Sequence, residues 1–98
     1  MKNKIIGITM SRIDKKFEKL GFAKILENKF GVEYNKYIEE FDYSHVIIIM
    51  HKKSGEHIIQ SYQRQLNSDG LNNCVGMTFK ETKLVIRKYR EMKRKYGW

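Results

Sequence analysis

The last twenty-one residues of the chain, 78–98, have the pattern of one amphipathic helix. Thr78 and Glu81 are spaced as in a capping box, in which each side chain accepts the backbone N–H of the other residue. At 100° per residue, the apolar side chains fall on one side and form an arc wide enough to pack on a sheet. We expect this arc to face the core, and its members are Thr82, Val85, Ile86, Tyr89, Met92 and Tyr96.

A second row of side chains on the same helix is entirely basic. Its members step by three and four positions, which aligns them on one neighbouring face. Like charges at these spacings repel by a few tenths of a kcal/mol per pair, so a helix without an anionic partner is better served by interspersed acids. We call this row the stripe, and it consists of Lys80, Lys83, Arg87, Arg90 and Arg94.

The size of the chain limits what this helix can belong to. A chain of 98 residues buries only about two-thirds of its unfolded surface, which favours a single domain over 1–98. The hydrophobic content of 41% supports one compact core. No apolar run approaches the roughly 20 residues of a membrane span, and we expect a soluble, cytoplasmic protein that does not bind a membrane. The single cysteine, Cys74, excludes an internal disulfide.

The net charge of +9 is concentrated at the two ends of the chain. Residues 79–98 carry eight basic and two acidic side chains, and residues 1–20 carry six basic and two acidic ones. The middle of the chain is close to neutral. Positive charge gathered on helical segments is the electrostatic pattern expected for binding nucleic acid or another polyanion.

An N-terminal helix is predicted over 11–20. Ser11 and Asp14 have capping-box spacing, and apolar residues then recur at helical intervals until Gly21, where the helix should end. Residues 1–10 fit either an edge strand or part of a helix.

Four strands follow, over 22–27, 32–38, 46–50 and 57–64, and 65–77 reads as a long loop. The run 46–50 is continuously apolar and rich in β-branched residues, which is typical of a central strand. The sequence therefore predicts an α+β fold. Its four-stranded antiparallel meander is preceded by one helix and packed on one face by the long C-terminal helix.

The hairpin between the last two strands sets their register. With Ser54 and Gly55 as a two-residue turn, Ile49 pairs with Gln60 and Ile47 with Tyr62. Gln60, Tyr62 and Arg64 then share one face opposite isoleucines, which is either the solvent side or a binding surface. Aromatic rings beside cations stack on unpaired bases, so Tyr62 and Arg64 join the candidate nucleic-acid-binding residues.

No arrangement typical of catalysis or cofactor binding occurs in the chain. Nucleotide-binding glycine loops and paired acid/base carboxylates are missing from the sequence. The three histidines, at 45, 51 and 57, fit packing or surface roles better than a shared metal ion. We expect a non-enzymatic protein with neither metal nor cofactor.

Four segments carry a resemblance to a known family: His51–His57 (HKKSGEH), Ile59–Gln63 (IQSYQ), Asn67–Asn73 (NSDGLNN) and Lys95–Trp98 (KYGW). Over about residues 17–98 the chain resembles the small phage PVL orf fifty-like proteins of phages and prophages of Gram-positive bacteria. The resemblance implies a cytoplasmic product in a bacterial host cell, but it transfers neither an activity nor binding residues.

The leading hypothesis is an accessory protein that binds DNA or RNA through phosphates, using the stripe with Tyr62 and Arg64. The alternative is a protein-interaction module, either a homodimer or a factor that modulates a host or phage protein. In that case Tyr89, Tyr96 and Trp98 extend the apolar face beyond the area that one small sheet covers, because an uncovered apolar patch marks an interface.

Overall fold

The computed structural model describes residues 9–65 and 73–98, and these form the predicted α+β fold. An N-terminal helix precedes an antiparallel sheet, and a long C-terminal helix follows it. In chain order the elements are α1 (Arg12–Lys19), β1 (Ala23–Asn28), β2 (Gly31–Ile38), a short 3-10 helix (Glu39–Phe41), β3 (Tyr43–His51), β4 (His57–Gln65), β5 (Asn73–Cys74) and α2 (Phe79–Tyr96). Neither described helix is long and apolar enough to cross a membrane.

The described sheet has five strands in the order β1-β2-β3-β4-β5, one more than the sequence predicted. The additional strand is only two residues long and pairs with Tyr62 and Gln63 at the edge of β4. It lies within the segment 65–77 that was predicted as a loop, and a two-residue strand has no periodicity by which to recognise it. Residues 66–72 of that loop lie outside the described residues, as do residues 1–8.

Both helices begin with the predicted capping boxes. The Ser11 hydroxyl accepts the Asp14 N–H and the Asp14 carboxylate accepts the Ser11 N–H, at 3.2 and 2.9 Å. Thr78 and Glu81 do the same at 3.1 and 2.9 Å. Each box satisfies two orphan backbone donors of a first helical turn, which is why both helix starts were predictable from local sequence.

The predicted register of the β3–β4 hairpin is wrong by one residue. His51 pairs with His57, Ile49 with Ile59 and Ile47 with Ser61. The connection closes at the Lys52 N–H to Glu56 carbonyl bond, and inside it Gly55 takes a positive φ of 93°. The loop is therefore longer than two residues. A one-residue shift exchanges the faces of every side chain on a strand.

The core lies between the two helices and one face of the sheet. Strands β2 and β3 supply the sheet side, and α2 supplies Leu84, Val85 and Met92. The predicted apolar arc of α2 is rotated from the observed one, because Ile86 is 41% exposed whereas Leu84 is buried. The buried members of the cluster are Phe17, Phe22, Val32, Tyr34, Ile47, Ile49, Leu84, Val85 and Met92.

Candidate nucleic-acid interface

Lys88 occupies the middle of the buried side of α2, between Leu84 and Met92 at steps of four residues. Its side chain has no exposed surface. The ammonium nitrogen lies 2.9 Å from Asp14 Oδ1, 2.8 Å from Glu27 Oε1 and 2.7 Å from Glu91 Oε2. A lysine ammonium has three N–H donors. Three carboxylates therefore match its full donor capacity inside the core.

Asp14, one of these three carboxylates, comes from α1 and also caps that helix. Its Oδ2 accepts Lys24 Nζ at 2.8 Å, and its Oδ1 accepts the Tyr34 hydroxyl at 2.5 Å. Burial alone would raise the pKa of Asp14, but the hydrogen bonds, led by those from Lys24 and Tyr34, lower the pKa to about 2. The carboxylate therefore stays charged at any physiological pH.

Glu27 reaches Lys88 because the pairing of β1 with β2 contains a bulge-like irregularity. The pairing with β2 shifts between Lys24 and Leu26, so that Lys24 pairs with Tyr34 and Glu27 with Val32. Both β2 partners are core residues. The extra residue thus turns Lys24 and Glu27 to the same sheet face, where they form an ion pair at 2.9 Å.

The remaining contacts of Glu27 come from the end of α2. Its Oε2 accepts Lys95 Nζ and the Tyr96 hydroxyl, each at 2.8 Å. Burial opposes ionisation, but the hydrogen bonds from Lys88, Lys95, Lys24 and Tyr96 hold the pKa of Glu27 far below its usual range.

These residues form what we call the buried charge cluster, of which Lys95 is the exposed outer member: Asp14, Lys24, Glu27, Lys88, Glu91 and Lys95.

The buried charge cluster links α1, β1 and α2 and leaves no charge uncompensated, with three acids against three lysines. The carboxylate oxygens of Asp14, Glu27 and Glu91 lie within 4.8 Å of one another, a spacing that suits a metal ion. Lys88 Nζ is bonded to all three. Burial would lower the pKa of Lys88, but these carboxylates raise it. A lysine held protonated is no nucleophile or general base, and its three carboxylate partners tie α1, β1 and α2 together.

The stripe on the other side of α2 has the opposite environment. All five of its side chains are exposed. Within the described ranges, 9–65 and 73–98, no carboxylate lies within 4.0 Å of any of them. From Lys80 to Arg94 the stripe extends about 21 Å along the helix axis.

Helix α1 adds further cations beside the first half of the stripe. Lys16 and Lys19 of α1 face α2 across an open groove of about 490 Å³. Leu20 and Leu84 form its apolar lining. We call this feature the basic groove, and its cationic lining residues are Lys16, Lys19, Lys80, Lys83 and Arg87. The predicted site on one helix therefore becomes a surface shared by two helices.

Tyr62 and Arg64 lie apart from this surface. Tyr62 pairs with Val46 of β3, and Arg64 pairs with Ser44. The β3 residues of the other face, Ile47 and Ile49, belong to the core cluster. Because side chains alternate along a strand, both residues occupy the sheet face opposite the helices. Arg64 donates to the Tyr62 hydroxyl at 3.0 Å, and its guanidinium lies 3.7 Å from a carboxylate oxygen of Glu33.

An aromatic group closes the far end of α2. The Trp98 indole stacks on His51 and His57 at centroid distances of 5.4 and 5.2 Å and donates to the Lys29 carbonyl at 2.8 Å. Tyr89 hydroxyl and His57 Nδ1 are 3.1 Å apart. Tyr89 and Trp98, with Tyr96, pack against the core cluster. The aromatic residues predicted to extend an interface thus serve mainly the fold.

Sequence reasoning missed Lys88, which belongs to neither the predicted apolar arc nor the stripe. One local signal was present: Leu84, Lys88 and Met92 recur every four residues, so a lysine stood in line with two core residues. Glu91, three residues after Lys88, supplied a partner. No comparable signal pointed to Asp14 or Glu27, which are distant in sequence.

No protein-family model matches the chain. The comparisons with curated proteins and with solved structures also found no match.

Proposed function

We propose that this protein is a non-enzymatic module that binds nucleic acid through its phosphates, using the stripe and the basic groove. One observation carries the proposal. Carboxylates of the fold neutralise Lys88 and Lys95 of helix α2, yet the five cations of the stripe are exposed and have no carboxylate partner among residues 9–65 and 73–98. The described part of the fold compensates positive charge on one face of α2 and leaves it uncompensated on the other.

Electrostatics explains why such a face favours a polyanion. The stripe residues repel one another in the free protein, which costs a few tenths of a kcal/mol for each neighbouring pair. A chain of phosphates removes this repulsion and releases its own condensed counterions on binding. The basic groove strengthens the effect, because Lys16 and Lys19 add positive potential from a second helix.

The proposed site omits Tyr62 and Arg64. These residues occupy the sheet face opposite α2, and a ligand on the stripe does not reach them without wrapping around the sheet. The predicted phage or prophage origin and bacterial cytoplasmic location remain proposals that rest on the sequence resemblance.

A salt titration tests the proposal directly. If about five phosphates are neutralised on duplex DNA, affinity should fall by two to three orders of magnitude between 50 and 200 mM salt. Fluorescence anisotropy with labelled duplex, single-stranded DNA and RNA measures this slope. Affinity that does not respond to salt would rule out binding through phosphates.

Charge reversal locates the site. The double variant Arg87→Glu, Arg90→Glu should abolish binding at 100 mM salt while leaving the circular dichroism spectrum unchanged. The matched control is Lys52→Glu, Lys53→Glu, which makes the same change in net charge at two exposed positions of the β3–β4 hairpin. Equal loss of binding in both double variants would show that net charge, not the stripe, is responsible.

A second candidate function is a protein-interaction module, and the open face of the sheet favours it. Leu26 and Phe30 are 53% and 56% exposed there. They border a groove of about 200 Å³ that Ile48 and Met50 also line. Exposed apolar surface of this kind marks interfaces, including those of homodimers. Light scattering across a concentration series tests self-association, and a monomer at every concentration would exclude the homodimer.

A further inference from the structure

Phe79, the first residue of α2, is the most exposed of the large hydrophobic residues that the structure describes. Its exposed fraction is 88%, against 68% for Phe41 and 56% for Phe30. Among the described residues no other aromatic ring stacks on it, and no cation lies over it. A side chain this exposed contributes little to the core, so the fold gives no reason for a phenylalanine at this position.

The position of Phe79 places its ring beside the unpaired cations. Lys80 follows it directly, and Lys83 is four residues away, which makes the two side chains neighbours on the helix surface. Continuing by three and four, the same line passes through Ile86, which is 41% exposed, and Arg90. Aromatic, aliphatic and basic side chains therefore share one face at the start of α2.

We propose that Phe79 is a base-stacking residue and that the nucleic acid bound by the stripe is single-stranded. The inference rests on the proposed function and specifies its ligand. In a duplex the bases stack on each other and offer only their edges, whereas an unpaired base offers a whole face to an exposed ring. The cations of the stripe then hold the phosphates on either side of that base.

The charges around Phe79 favour a nucleic acid over a protein partner. Protein interfaces are depleted of charged residues at their centres. Here the two exposed apolar side chains, Phe79 and Ile86, alternate with Lys83 and Arg90, and neither cation has a carboxylate partner among the described residues. A ligand that covers this face has to supply an anion about once per helical turn together with flat apolar surface, which is the composition of a single strand.

The role assigned here to Phe79 is the one that the sequence predicted for Tyr62. Tyr62 is half-buried, its hydroxyl accepts a hydrogen bond from Arg64, and it lies on the sheet face away from the stripe. A stacking ring has to lie beside the cations that bind the phosphates. Phe79 does so, because it shares a helix face with cations of the stripe, whereas Tyr62 does not.

The test compares three DNA ligands of one length at fixed salt: a single strand, the matched duplex, and a single strand of abasic nucleotides. Wild-type protein should bind the single strand most tightly. Phe79→Ala and Phe79→Leu should weaken that binding by about 5-fold to 100-fold and leave abasic-strand and duplex binding within about 2-fold. Phe30→Ala removes another exposed ring, one that lines the groove on the open face of the sheet with Ile48 and Met50, and should change none of the affinities.

The outcomes separate this inference from the proposed function. Unchanged urea midpoints for the Phe79 variants verify that the fold is intact, as the exposure of the side chain requires. If wild-type protein binds the single strand and Phe79→Ala binds it equally well, stacking is refuted while phosphate binding stands. Equal losses on the abasic strand would likewise refute stacking. Wild-type protein that binds none of the three ligands overturns the proposed function and this inference together.

Discussion

The two faces of α2 carry lysines and arginines in opposite circumstances. On one face Lys88 is fully buried and bonded to three carboxylates. On the other, the stripe is exposed and unpaired in the described part of the chain. The residue types are nearly the same and alternate within single helical turns. The comparison teaches that positive charge in a sequence is only potential binding capacity, and that the carboxylates of the fold decide how much of it remains free.

Removing the buried cation should have the largest effect on stability and tests the contrast between the two faces most directly. Lys88→Met keeps an unbranched side chain of similar length but leaves three carboxylates buried without their shared partner. We expect the free energy of unfolding to fall by about 3–5 kcal/mol, as for other buried ion pairs that lose one member. Urea denaturation followed by circular dichroism measures the loss.

Lys83→Met is the matched control for Lys88→Met, because it removes a cation from the exposed face of the same helix. Its effect should lie within about 0.5 kcal/mol. Similar losses for the two variants would mean that the buried charge cluster contributes no more than a surface lysine.

Acid should have the second-largest effect on stability, because it protonates carboxylates of the buried charge cluster. The pKa of Asp14 is lowered to about 2 in the folded protein, below the ordinary value of 3.8. Between about pH 5 and pH 2 the unfolded chain therefore takes up a proton that the folded chain resists, and stability falls as the pH falls. The shift corresponds to about 2 kcal/mol from Asp14 alone, and Glu27 adds a loss of the same sign.

Urea midpoints measured across this pH range test the prediction. Asp14→Asn should flatten the profile, since its side chain no longer titrates, whereas Glu18→Gln, at an exposed position of α1, should follow the wild type. An Asp14→Asn profile as steep as that of the wild type would contradict the assigned role of Asp14.

The smallest expected effect has the opposite sign. Arg90→Glu places a carboxylate three or four residues from Arg87, Lys93 and Arg94, and so turns repulsive pairs into attractive ones. Stability should rise by about 0.5 kcal/mol, although nucleic-acid binding weakens. Arg90→Gln should give about half the gain. A destabilised Arg90→Glu protein would show that the stripe is not under repulsion.

The parts of the fold that depend on local signals were predictable. The two capping boxes, the central apolar strand β3 and the order of helices and sheet follow from spacings of a few residues. The register of the β3–β4 hairpin could not be predicted in this way, because Ser54 and Gly55 fit several loop lengths. Only the closing hydrogen bond from the Lys52 N–H to the Glu56 carbonyl distinguishes them. The short strand β5 was missed for the same reason, since pairing rather than pattern defines it.

The candidate site divides in a similar way. The exposed cations of the stripe lie where the helical repeat put them, and the assignment of nucleic acid to them remains a prediction. The contribution of Lys16 and Lys19 required the packing of α1 beside α2. Tyr62 was placed by a register that was wrong by one residue, and the face it occupies follows from the observed pairing with Val46.

The sequence by itself determined where the helices begin, that α2 has an apolar side and a basic side, and that positive charge collects at the chain ends, because each of these depends on residues within a few turns of one another. Only the tertiary structure decided which lysines are neutralised. Asp14 and Glu27 reach Lys88 across more than sixty residues, by way of a cap on α1 and an extra residue in β1. Helical periodicity places only Glu91 beside Lys88; the compensation by Asp14 and Glu27 depends on distance in space, which the local sequence pattern does not encode.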